Sequence, residues 1–97
     1  MLHTVNKSPF QNNSLEDCLR VAQKGDVILL LEDGVYAASA GTAKSSLIEK
    51  AMKQNTVYAI DADLKARGLE NLIKDVRIAS YGDFVDLVEK YTVHAWL

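Results

Sequence analysis

Five consecutive apolar residues, Val27-Ile28-Leu29-Leu30-Leu31, constrain this chain more than any other feature. The run has the length of a strand. Because no polar residue alternates within it, both of its faces need cover, as in the middle of a parallel sheet with helices on either side. The flanking segments fall into an alternation around it. Leu2–Val5 reads as a first strand, which Asn6-Lys7-Ser8 and the lone Pro9 prevent from continuing. Ser14 is an N-cap candidate for an amphipathic helix. That helix has Glu16 and Asp17 in its first turn, Leu15, Cys18, Leu19 and Ala22 on one face, and Lys24-Gly25 at its close.

Beyond the central run, Asp33-Gly34 turns the chain into residues 35–40, whose small side chains predict a helix lying close to the sheet or to a neighbouring subunit, broken by Gly41. Ser46 and Glu49 have capping-box spacing and predict a second helical stretch ending near Lys53. Thr56–Ile60 is a β-branched third strand. Residues 61–68 place acids first, bases last and Gly68 at the end, the charge order a short helix prefers along its dipole. Residues 76–79 form a weaker fourth strand. Asp83 is placed to cap a helix with an apolar stripe at Phe84, Leu87, Val88 and Tyr91, and residues 92–96 supply a fifth strand. Strands separated by helices imply right-handed crossovers. The expected fold is a three-layer α/β/α domain with about five mostly parallel strands, spanning residues 1–97 as one unit.

Composition narrows the function classes. A 97-residue chain with 48% hydrophobic and 25% charged residues belongs among globular proteins, and its net charge of −2 gives no footprint for direct nucleic-acid binding. One cysteine excludes an internal disulfide. The opening Met-Leu-His-Thr has neither the basic region nor the apolar stretch of a signal peptide, so a cytoplasmic location with no membrane partner is expected.

Several constellations were tested for chemistry. Gly34, Gly41, Lys44 and Ser45 follow a strand, but their spacing is wrong for a P-loop, and no dinucleotide fingerprint follows the first strand. No cofactor is expected. His3 and His94 would be neighbours if the last strand pairs with the first, yet two imidazoles fall short of a metal site, and structural roles are expected for both. Ser8, His3 and Asp33 would make a hydrolase triad only by chance, without a nucleophile-elbow sequence. Lys7, Lys65 and Arg67 are candidate anion contacts. Tyr36, His94 and Trp96 are candidate interface residues, aromatic side chains being enriched at binding hot spots. Cys18 remains open between two readings. As the only thiol it could carry a persulfide once deprotonated, and its place near a helix start favours that. On an apolar helix face it could equally be a packed small hydrophobe.

The phrases Leu2-His3-Thr4-Val5-Asn6-Lys7-Ser8-Pro9, Glu32-Asp33-Gly34-Val35-Tyr36-Ala37, Asp63-Leu64-Lys65-Ala66-Arg67-Gly68-Leu69 and His94-Ala95-Trp96 resemble those of the DsrH/TusB family, in order and across the whole chain. The resemblance implies a DsrE/F/H-like fold and a place as the smallest subunit of a cytoplasmic heterohexamer with two homologous chains, TusC/TusD-like or DsrF/DsrE-like. Such a complex accepts persulfide sulfur from a carrier protein and hands it on, in the TusBCD branch toward 2-thiolation of the tRNA wobble uridine and in the DsrEFH branch in dissimilatory sulfur oxidation. The family's sulfur-carrying cysteine belongs to the sister chain, after its third strand. Here the comparable stretch reads Ile60-Asp61-Ala62-Asp63, with no thiol. The expected role is therefore a non-catalytic, accessory one. Ser14-Leu15-Glu16-Asp17-Cys18-Leu19 resembles a segment of DsrH proteins, which keeps Cys18 as a candidate secondary carrier.

Overall fold

A computed structural model describes residues 1–97 and places five strands in one sheet, ordered β4-β3-β2-β1-β5. The strands are β1 (Leu2–Val5), β2 (Val27–Leu30), β3 (Thr56–Ile60), β4 (Arg77–Ala79) and β5 (Val93–Trp96), and every pairing is parallel. Val27–Leu30 of the central apolar run form β2, each of these four residues buried, with the sheet continuing on both sides, while Leu31 lies past the strand and is half-buried. The helices are α1 (Ser14–Val21), α2 (Ser45–Ala51), α3 (Asp61–Ala66) and α4 (Tyr81–Lys90), with a 3-10 helix at Glu32–Ala38.

Strand order decides which face each helix covers. From β1 to β4 the chain steps in one direction, so right-handed crossovers put α1, α2 and α3 on the same face. The return from β4 to β5 runs the other way and carries α4 to the opposite face. The apolar clusters agree: Leu15, Cys18, Ile48 and Leu64 pack with Val5, Ile28, Leu30, Val57 and Ala59 on one side, whereas Phe84 and Leu87 meet Leu2, Val27, Leu29, Ile60 and Ala79 on the other. The three-layer expectation holds, and the sheet is wholly parallel.

Local differences from the sequence expectations have local causes. Residues 35–40 do not form a regular helix; the segment is 3-10 and ends at Ala38, because Ser39 leaves to bridge Leu72. The close approach expected there is real. A Cβ on Gly34 would lie 2.0 Å from the Val5 carbonyl oxygen, so only glycine fits against the end of β1. Asn13, not Ser14, is the N-cap of α1, and the Ser14 hydroxyl instead donates to the Asn12 side-chain oxygen, with Leu97 O a more distant acceptor at 3.3 Å. The Ser46–Glu49 capping box does not form, since α2 begins two residues earlier, with Lys44 as its N-cap. The α4 cap is Ser80: its hydroxyl accepts from Asp83 N–H at 3.0 Å while the Asp83 carboxylate accepts from Ser80 N–H at 2.9 Å. Asp83 therefore occupies the third helical position of a true capping box.

Candidate functional site

In an open parallel sheet the place for chemistry is the carboxyl end of neighbouring strands whose connections leave toward opposite faces. Here that crevice lies between β3, which feeds α3 directly, and β4, which feeds α4. Asp63 is its organiser. Its carboxylate accepts from the Glu32 N–H at 2.8 Å and from the Tyr81 hydroxyl at 3.0 Å. Glu32 itself is left-handed, with φ 50°, and the Asp63 contact helps hold that strained residue where β2 turns into the 3-10 helix. Arg67 adds a clamp: its guanidinium donates to Asp33 Oδ1 at 3.0 Å and to the Asp63 backbone carbonyl at 3.2 Å. Giving up its proton would leave Tyr81 facing the Asp63 carboxylate it now donates to, so that phenol is shifted upward from its ordinary value. These groups satisfy one another. The crevice binds loops together and presents no thiol or imidazole.

Cys18 lies elsewhere, inside the layer between α1 and the sheet. It is fully buried, packed in the same cluster as Leu15, Val5 and Ile28. Burial, followed by the nearby Asp26 carboxylate, pushes its thiol up to about 12. Whatever the start of α1 contributes, desolvation outweighs it, and the shift favours the protonated thiol.

His3 and His94 are register partners on β1 and β5, as the pairing of first and last strands required. They do not act as a pair of ligands, and no group of three or more His, Cys, Asp or Glu side chains is placed to hold a metal. Instead His3 is buried between two partners. Trp96 Nε1–H donates to its Nδ1 at 3.1 Å, which leaves the ring proton on Nε2, 2.9 Å from Asp26 Oδ2. The N–H of Gln23 and then His3 hold the Asp26 carboxyl down at about 2. His94 is exposed and stacks on Trp96 with ring centroids 4.4 Å apart. Of the three aromatic interface candidates, Trp96 and Tyr36 are half-buried and His94 lies open on the edge strand.

The remaining candidates separate. No Ser8–His3–Asp33 triad exists: the Ser8 hydroxyl accepts from Phe10 N–H, and Asp33 is bound to Arg67. Arg67 is also lost as a free anion contact, and Lys65 pairs with Asp61 at 3.0 Å, whereas Lys7 is exposed. Asp26 and the Asp63–Arg67–Tyr81 network were missed by sequence reasoning. The acid-first, base-last order of residues 61–68 matches the helix dipole, but Asp63 and Arg67 also stand one helical turn apart and reach Tyr81 and Asp33 on distant segments.

Comparison with known proteins gives a consistent result. The family model described as DsrH like protein matches residues 7–93. Protein TusB of Sodalis glossinidius is 41% identical over 91 residues, covering 93% of each chain, and Protein TusB of Escherichia coli K12 is 40% identical over 92 residues, covering 94% of each. Among solved structures, the ychN protein of E. coli superposes with a TM-score of 0.85 over 97% of both chains at 19% identity, a likeness of fold.

Proposed function

This chain belongs to the DsrH-like family, and from that premise we propose that it is an accessory subunit of a persulfide-relay complex, shaping the assembly without carrying sulfur itself. The observation that carries this reading is the placement of Cys18. A sulfur carrier needs a thiolate that can reach its donor and acceptor, and the only thiol of this chain is fully buried, with burial pushing it up to about 12. The transferred sulfur must then sit on another polypeptide. Where the sister chain of the family carries its cysteine, after the third strand, this chain has Asp61 and Asp63, and Asp63 is engaged in holding loops.

In this reading residues 1–97 act as one DsrH-like domain that joins two homologous chains in a cytoplasmic heterohexamer. Names of the relatives support the tRNA branch, with 2-thiolation of the wobble uridine as the end use, over the sulfur-oxidation branch. RNA contact is left to other subunits, in keeping with the net charge of −2. No helix is long and apolar enough to cross a membrane.

Co-expression of the tagged chain with its two homologous chains, followed by incubation with a persulfide donor and intact-mass analysis, tests the proposal. The three chains should co-purify, and added sulfur should appear on a sister chain only. An added sulfur on this chain, lost in Cys18→Ser, would make Cys18 a carrier and end the accessory reading; failure to co-purify would remove the complex.

A further inference from the structure

The side-chain hydrogen bond that ties β5 to β1 occupies the one site on His3 that an incoming proton needs. Trp96 Nε1–H can only donate, and it reaches His3 Nδ1 at 3.1 Å, while the hydrogen on Nε2 faces Asp26 Oδ2 at 2.9 Å. A proton arriving at this buried ring has only Nδ1 to bind, and there it sets N–H against N–H. The other neighbours accept the charge. Asp26, held down at about 2 by the Gln23 N–H and by His3, stays ionised over the range in which imidazoles take up a proton, and it also faces the Met1 amine at 3.2 Å. From β5 the titratable neighbour is His94, its ring centroid 6.1 Å from that of His3, and from α1 it is the buried Cys18. The charged residues of α1 are engaged at the surface, Glu16 with Lys44 and Asp17 with Arg20. Lys24 in the loop before β2 is exposed, and β2 itself brings only apolar side chains.

We propose that His3 is a proton-operated latch on β5: charging the imidazole turns Nδ1 from acceptor to donor, expels the Trp96 indole and frees the Trp96 end of the strand while the rest of the fold stays closed. The sign follows from counting protons. The latched form has none on Nδ1 and the open form has one, so falling pH favours opening. β5 is the element able to respond. It pairs with β1 alone, its Val93, His94 and Ala95 are exposed, and Trp96 is its one part-buried residue. The other side-chain tie at that end, from the Ser14 hydroxyl to Leu97 O, is long at 3.3 Å. His94 works in the opposite sense: it stacks on the indole at 4.4 Å, and its own protonation would set a cation over an aromatic face and hold the ring in place. The latch involves no thiol and stands independently of the sulfur-relay reading.

Trp96 is the only tryptophan, so the fluorescence of the whole chain reads its surroundings. Between about pH 8 and about pH 5 the wild-type emission should shift reversibly to the red, as for an indole entering water, while far-ultraviolet circular dichroism stays that of the folded protein. The transition should persist in His94→Gln and vanish in His3→Gln, whose amide takes up no proton. Heteronuclear NMR of the wild-type chain gives a second reading that needs no variant to fold: the Trp96 indole resonance should move in step with Nδ1 of His3. An indole that ignores pH in the folded chain would overturn the latch. So would a transition lost in His94→Gln or kept in His3→Gln, an indole resonance that moves without Nδ1 of His3, or loss of the whole fold over the same interval.

Discussion

One face of the sheet is roofed by three helices and a 3-10 segment, the other by a single helix. The roofed face holds 13 buried apolar residues in one cluster and the opposite face 5, and α4 contributes no fully buried residue to the latter. The imbalance follows from strand order, since three of the four crossovers step the same way. It teaches a division of labour. The crowded face supplies most of the stability, and the one thiol of the chain is fully buried within it. The sparse face leaves apolar surface to spare, with Tyr81, Val85 and Val88 all exposed on α4.

The sharpest way to break this comparison is at Gly34, where the roof of the crowded face touches the end of β1. Gly34→Ala would drive a methyl group to 2.0 Å from the Val5 carbonyl oxygen, and both sides of that contact are backbone. We expect a loss of more than about 3 kcal/mol, enough to leave much of the protein unfolded, measured by urea denaturation. A near-neutral result would show that the 3-10 segment can lift away and that the crowded face is less rigid than described. A graded version compares the faces directly. Ile28→Ala, at a site with no exposure, should cost about 3–4 kcal/mol, whereas Phe84→Ala on the half-buried side of α4 should cost roughly half as much. Equal losses would contradict the division of labour.

Most of this architecture is legible in the sequence, and the reason is physical. The solid apolar run at β2 can exist only with cover on both faces, and the single-direction alternation of strands and helices then dictates the sheet and its layers. Caps were less legible. Ser14, Ser46 and Asp83 each have the right chemistry, but a residue one to three positions earlier takes the N-cap place, because tertiary packing sets where a short helix starts and several polar residues compete to cap it. The site was legible only in part. The pairing of His3 with His94 follows from strand alternation, but the partners that define His3 are Asp26 and Trp96, 23 and 93 residues away in the chain, and no spacing rule connects them. The sequence leaves the depth of Cys18 open, since the same helix position favours a thiolate when wet and a thiol when dry, and only the packing of α1 on the sheet places it in the dry interior.

The smallest effect separates the faces by chemistry, not by packing. Only the crowded face is tied at its β1–β5 end by a part-buried polar chain, running from Asp26 through the buried His3 to the Trp96 indole. Asp26 is depressed from 3.8 to about 2 in the folded protein, so its contribution is complete above pH 4 and disappears as the pH falls through about 2. A shift of that size corresponds to about 2 kcal/mol. Asp26→Asn should therefore lose up to that amount at neutral pH and show a flatter stability profile between roughly pH 4 and 2 than the parent chain. Amide exchange on β5 would sharpen the result, because β5 should open first in acid while the amides beneath α4 keep their protection. If Asp26→Asn leaves the acid limb of the profile unchanged, the polar chain is decorative, and the two faces differ only in how much apolar surface each one hides.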